Sequence, residues 1–109
     1  MVTPLSIPMS SHKKTLKLSA AAQNDLIDIL RYTGEQWGKQ QLLAYRDKLH
    51  QAFQTLINYP YLGYPEDNSP SAYHQCYLVG AHVIVYRTQK NTIEVIRILH
   101  KRMRIAPRI

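Results

Sequence analysis

The sequence predicts a small α+β domain, a β-α-α-β-β-β chain in which an αα-hairpin packs on an antiparallel-rich sheet. Three observations carry this. Apolar residues recur at steps of three and four along two consecutive segments between Ser19 and Asn58. One glycine, Gly38, separates those segments. Beyond a proline-dense loop lie three runs rich in β-branched and aromatic residues, divided by turns.

The elements follow in order. Residues 1–14, MVTPLSIPMSSHKK, read as a flexible arm ahead of one domain over residues 15–109. Pro4 and Pro8 interrupt the apolar part of that arm and its charges come last, unlike a secretory signal. Thr15–Leu18 is a short strand. Ser19 then suits an N-cap, because its hydroxyl can accept from the unpaired amides of a first helical turn. Ala22, Leu26, Ile29, Leu30, Thr33 and Trp37 line one face of the first helix, with Trp37 as the hairpin's anchor. Gly38 ends it in a conformation favourable to glycine. The second helix runs from Lys39 to Asn58, with Leu42, Tyr45, Leu49, Ala52, Phe53 and Leu56 on its apolar face. NYPYLGYPEDNSPS follows, with three prolines and one glycine, a loop composition. Its Tyr59, Tyr61 and Tyr64 are expected to pack over the edge of the core. Tyr73–Val79, His82–Thr88 and Thr92–Leu99 form a three-stranded meander, turning at Gly80-Ala81 and around Gln89–Asn91. The continuous apolar run Val83-Ile84-Val85 implies burial on both faces. His82, just after a turn, is expected to be a hydrogen-bonded structural residue, and His74 a surface one.

Composition narrows the function classes. No apolar run approaches the roughly 20 residues that span a bilayer. The single cysteine, Cys76, forms no internal disulfide and suits the cytoplasm. The histidines and Cys76 lack metal-ligand spacing, so neither a metal nor a cofactor is expected. The net charge of +7 is concentrated late in the chain. From Arg87 onward seven basic residues stand against Glu94 alone, a local excess of +6. Such an excess attracts nucleic acid or an acidic protein partner, or serves only to solubilise.

Several stretches together resemble the ParE branch of the RelE/ParE toxin superfamily. LSAAAQNDLIDILRYTGEQWG is similar to the family's first strand and helix, and Ala44-Tyr45 with Leu49, Phe53 and Leu56 to its second helix. NYPYLGYP resembles the loop after that helix, and VGAHVIVYR and VIRILHKRM the last two strands. The resemblance covers about residues 15–104. It implies a toxin of a type II toxin–antitoxin system, a cognate antitoxin whose C-terminal segment wraps it, and DNA gyrase as a target poisoned by binding. Two alternatives stay open: a RelE-like endonuclease cleaving mRNA on the ribosome, and a non-toxic member that only binds its antitoxin. In the ParE-like branch the chain end matters for the target, and Lys101, Arg102 and Met103 match that motif. Arg104 stands where many relatives are acidic. Tyr64 and Gln75 stand where relatives often carry arginine.

For metal-free RNA cleavage a site needs a base, an acid and cations on the phosphate. Arg87, Arg97 and His100 are the candidates, with Tyr86 nearby. Alternation places Ile93, Val95, Arg97 and Leu99 on one face, and Glu94, Ile96, Ile98 and His100 on the other, unless a bulge intervenes. Tyr86 likewise faces away from Arg87. That separation argues for a binding protein over a nuclease. Lys101, Arg102, Met103 and Arg104 are therefore the expected target-binding segment. Tyr86, Arg87, Arg97 and His100 are candidates for contact with antitoxin or target. Arg97, among apolar neighbours, either pairs with a carboxylate or carbonyls or meets a partner.

Overall fold

The structure, a computed structural model, describes residues 14–65 and 74–108. The arm over residues 1–13 and the loop segment 66–73, including Tyr73, lie outside the described residues. The elements are β1 (Thr15–Leu18), α1 (Ala20–Trp37), α2 (Lys39–Asn58), β2 (Tyr64–Pro65), β3 (Gln75–Val79), β4 (His82–Thr88) and β5 (Thr92–His100), then a 3-10 turn over Ala106–Arg108.

Ser19 caps α1 as expected, its Oγ accepting from the Ala22 N–H at 3.0 Å. The same hydroxyl donates to the Ile96 carbonyl at 2.7 Å, so the cap also ties the helix to β5. Gly38, at φ 91 and ψ 171, separates the helices in a conformation that a side chain would oppose. Leu49, Ala52, Phe53 and Leu56 of α2 and Ala22 of α1 are buried against the sheet. The expected stripe fails at one end: Trp37 is 71% exposed and anchors nothing. It lines an open groove instead, beside Tyr32 and Tyr45.

The sheet has the order β1-β5-β4-β3-β2, antiparallel except where β1 joins β5 in parallel. Its helix-facing side carries Val79, Ile84, Tyr86, Ile93, Val95 and Ile98. The opposite side carries a second cluster, Cys76, Val83, Val85 and Leu99, with Ile105 against it. Both faces are thus buried, as the apolar run in β4 implied.

Four local expectations are corrected. The tyrosine-rich loop contributes a two-residue strand, β2, paired antiparallel with β3. Tyr59, Tyr61 and Tyr64 do not cover the core edge; they are exposed at 65, 74 and 49%. His74 is buried, not on the surface. The alternation assigned to β5 also breaks. Val85 opposes Arg97 while Tyr86 opposes Val95, so Ile96 is the extra residue of a β-bulge. Ile93 and Val95 face the helices, but beyond the bulge Ile98 takes that side, and Arg97 and Leu99 turn to the other. The bulge sits where β1 stops pairing and Ser19 takes over, its N–H reaching the Val95 carbonyl at 2.9 Å.

Candidate functional site

Tyr86 was a contact candidate by sequence, but it has no exposed surface. Its hydroxyl accepts from the Gly63 N–H and donates to the Pro60 carbonyl, each at 2.9 Å, pinning the loop after α2. Burial pushes its phenol above the usual range.

Arg87 and Arg97 both meet carboxylates. Arg87 sits across from Glu94 in the β4–β5 ladder, and its Nε and Nη2 each lie 2.7 Å from Glu94 Oε1. Arg97 makes a bidentate pair with Asp25 of α1: Nε to Oδ2 at 2.7 Å and Nη2 to Oδ1 at 2.9 Å. Asp25 also accepts from the Ile98 N–H at 2.9 Å. The hydrogen bonds to Asp25 push the guanidinium even further toward its charged form. Asp25 was missed by sequence reasoning. Its signal was a carboxylate three residues after Ala22 and four before Ile29, inside the apolar stripe of α1.

His100 ends β5 opposite His82. The two rings meet edge to face with centroids 5.5 Å apart. His100 Nδ1 accepts from the Arg102 N–H at 3.1 Å, so a neutral ring carries its proton on Nε2. His82 Nδ1 lies 2.6 Å from the Tyr45 hydroxyl, which also reaches the Val79 carbonyl at 3.1 Å. One hydroxyl proton serves both contacts when His82 donates from Nδ1 and Tyr45 donates to Val79. Burial first, then His100, lowers the His82 pKa and favours that neutral form.

Arg97 and His100 line one small cavity of about 220 Å³ with Asp25 and Met103, but Arg87 does not join them. Arg87 and His82, the latter beside His100, are five residues apart along β4, roughly 17 Å of strand. Both arginines are neutralised by partners. By contrast, Lys101, Arg102, Met103 and Arg104 are all exposed, forming a turn off the end of β5 that carries three cations. Beside it, Tyr32, Thr33, Trp37, Gln41, Tyr45 and His82 line an open groove of about 430 Å³ between the helix hairpin and the sheet. Tyr32 and Trp37 in this groove are more than half exposed, and sequence reasoning assigned neither a surface role. Among the described residues no group of three or more His, Cys, Asp or Glu is placed to hold a metal ion, and no helix is long and apolar enough to cross a membrane.

A helix hairpin on one face of a five-stranded mixed sheet is a fold this chain shares with chains from two solved toxin–antitoxin systems. A chain of the chromosomal ParDE TA system from P. aeruginosa superposes with a TM-score of 0.69 at 18% identity, over 82% of this chain and 97% of that one. A chain of the toxin–antitoxin complex RelBE2 from Mycobacterium tuberculosis gives 0.57 at 21% identity, over 82% and 99%. At those identities the likeness is one of fold. Sequence carries it further. Residues 16–105 match the model for the ParE toxin of the type II toxin–antitoxin system parDE. Toxin ParE1 of Caulobacter vibrioides is 34% identical over 90 residues, 83% of this chain and 92% of that protein. Toxin ParE1 of Mycobacterium tuberculosis is 36% identical over 87 residues, 79% and 88%. The chain belongs to the ParE toxin family of type II toxin–antitoxin systems.

Proposed function

We propose that this ParE-family toxin acts in the cytoplasm by binding and inhibiting DNA gyrase through the Lys101–Arg104 turn, and that a cognate antitoxin neutralises it. The observation that carries the reading is the contrast between its cations. Arg87 and Arg97 are held by carboxylates, whereas Lys101, Arg102 and Arg104 project into solvent. A toxin that works by binding needs an exposed charged surface; a nuclease needs an acid, a base and free cations at one phosphate. The separation of Arg87 from His100 favours the first. No cofactor or metal is required.

Exposed apolar area supports the antitoxin. Ile27, Tyr32, Trp37, Leu43 and Leu62 all stand open, with Tyr32 and Trp37 side by side in one groove. The groove beside Trp37 suits an amphipathic helix, and the outer edges of β1 and β2 suit an added strand. The net charge of +7 would speed capture by an acidic antitoxin segment.

The deciding experiment is induction of the chain alone in bacteria with thymidine and methionine incorporation followed side by side. DNA synthesis stopping first, together with inhibition of supercoiling by the pure protein, is the expected result. Protein synthesis stopping first would replace gyrase with ribosome-bound mRNA. Normal growth would leave only antitoxin binding.

A further inference from the structure

The basic segment after β5 is fastened at both ends. At its start, the Lys101 N–H donates to the Ala81 carbonyl at 2.9 Å, and the Met103 N–H to the His100 carbonyl at 2.9 Å. The Arg102 N–H is taken by His100 Nδ1. At its end, Arg97 Nη1 donates to the Arg108 carbonyl at 3.0 Å, and Arg108 Nη1 to the Arg104 carbonyl at 2.7 Å. Between them Ile105 packs against the outer-face cluster of Leu99, Val83, Val85 and Cys76.

The arrangement uses all three nitrogens of the Arg97 guanidinium. Nε and Nη2 are taken by the two oxygens of Asp25, which fixes the plane of the fork. Only in that plane does Nη1 point at Arg108, eleven residues on. The β-bulge at Ile96 is what turns Arg97 to this side of β5. We propose that Asp25 and Arg97 are positioning residues: their ion pair aims a third N–H at the Arg108 carbonyl and so closes the basic segment into a loop that presents Lys101, Arg102 and Arg104 in a fixed arrangement. The inference rests on the reading of that segment as the target contact. A loop already ordered before it meets a partner loses less entropy on binding, so the clamp would raise affinity without touching the target.

Lysine at position 97 separates the clamp from the ion pair. One ammonium can sit beside Asp25, but it lacks the rigid fork that serves a carboxylate and Arg108 together. Limited trypsin digestion of the full-length chain, read by mass spectrometry, reports the loop through cleavage after Lys101, Arg102 and Arg104. Cleavage after Arg46 and Lys48 in α2 reports global opening in the same sample. In Arg97→Lys, tail cleavage should rise about fivefold, the factor for one lost hydrogen bond, with the α2 sites unchanged. Deleting residues 108–109 also removes the bond from Arg108 to the Arg104 carbonyl and should raise tail cleavage at least as much, and Arg97→Lys in that background should add nothing. Unchanged tail cleavage, equal acceleration at all sites, or full additivity would each overturn the clamp. Gyrase inhibition measured on the same variants separates the two proposals. Inhibition weakened by about the same fivefold is expected in Arg97→Lys. If the clamp results hold but Lys101→Ala/Arg102→Ala/Arg104→Ala still inhibits fully, it is the gyrase contact that fails.

Discussion

Tyr86 and Gly63 are joined by a hydrogen bond that fixes the exit of the helix hairpin onto the sheet. The phenol oxygen lies 2.9 Å from the Gly63 nitrogen, and a Cβ built on Gly63 would fall 2.6 Å from that same oxygen and 2.6 Å from the Cys76 carbonyl. The loop therefore reaches the sheet only through a residue without a side chain. Tyr86→Phe leaves the half-buried Gly63 N–H without its partner, while the Pro60 carbonyl keeps a 3.3 Å bond from the Thr88 hydroxyl, and should cost about 1–3 kcal/mol. Gly63→Ala should cost at least as much, because Cys76 contributes backbone that cannot swing away. Urea unfolding of both variants checks this; a midpoint for Gly63→Ala equal to wild type would contradict the packing.

Ser19→Ala removes two bonds at once, the cap to Ala22 and the link to Ile96. The loss expected is about 1–2 kcal/mol. Ser19→Thr should restore most of it. Thermal unfolding of the pair measures the difference.

Stability should fall as the pH drops below about 6.5. His82 and His74 both have lowered pKa values in the fold, each mainly through burial. Arg87 lowers His74 further and Glu94 opposes it. In the window between the folded value and the ordinary 6.5 or so, the unfolded chain holds more protons than the folded one, so acidification favours unfolding. Above that window these histidines contribute no slope. Melting temperatures at pH 7.5 and 5.5 should differ, and His82→Gln should reduce the difference. A profile unchanged by that substitution would place the pH dependence elsewhere.

Replacing Lys101, Arg102 and Arg104 together by alanine should abolish toxicity while leaving the melting temperature within error of wild type, since all three side chains are exposed. Growth after induction, scored beside circular dichroism of the purified variant, tests both halves. Full toxicity in a folded triple variant would exclude this turn as the target contact.

Much of this was legible because it is local. The apolar spacing of α1 and α2, the cap at Ser19 and the break at Gly38 depend on residues within a turn or two of one another. So does the run of cations after β5, whose exposure follows from charge alone. Trp37 and the loop tyrosines were misplaced because an aromatic residue looks the same in sequence whether the fold covers it or leaves it open. Asp25 could be noticed in its stripe, but its partner is 72 residues away.

By itself, then, the sequence determined the order of the two helices and the four longer strands, most of the two helix faces, the family and the basic end. Tertiary structure alone decided what those residues meet. β1 pairs in parallel with β5 across most of the chain, and the bulge at Ile96 reverses which side Arg97 occupies. That reversal lets a strand arginine, hemmed by apolar neighbours, reach both Asp25 and the Arg108 carbonyl. The physical reason is one of range. Helical periodicity and capping are set by bonds between near neighbours, whereas strand register, bulges and ion pairs are set by whichever distant groups the closed chain brings within about 3 Å.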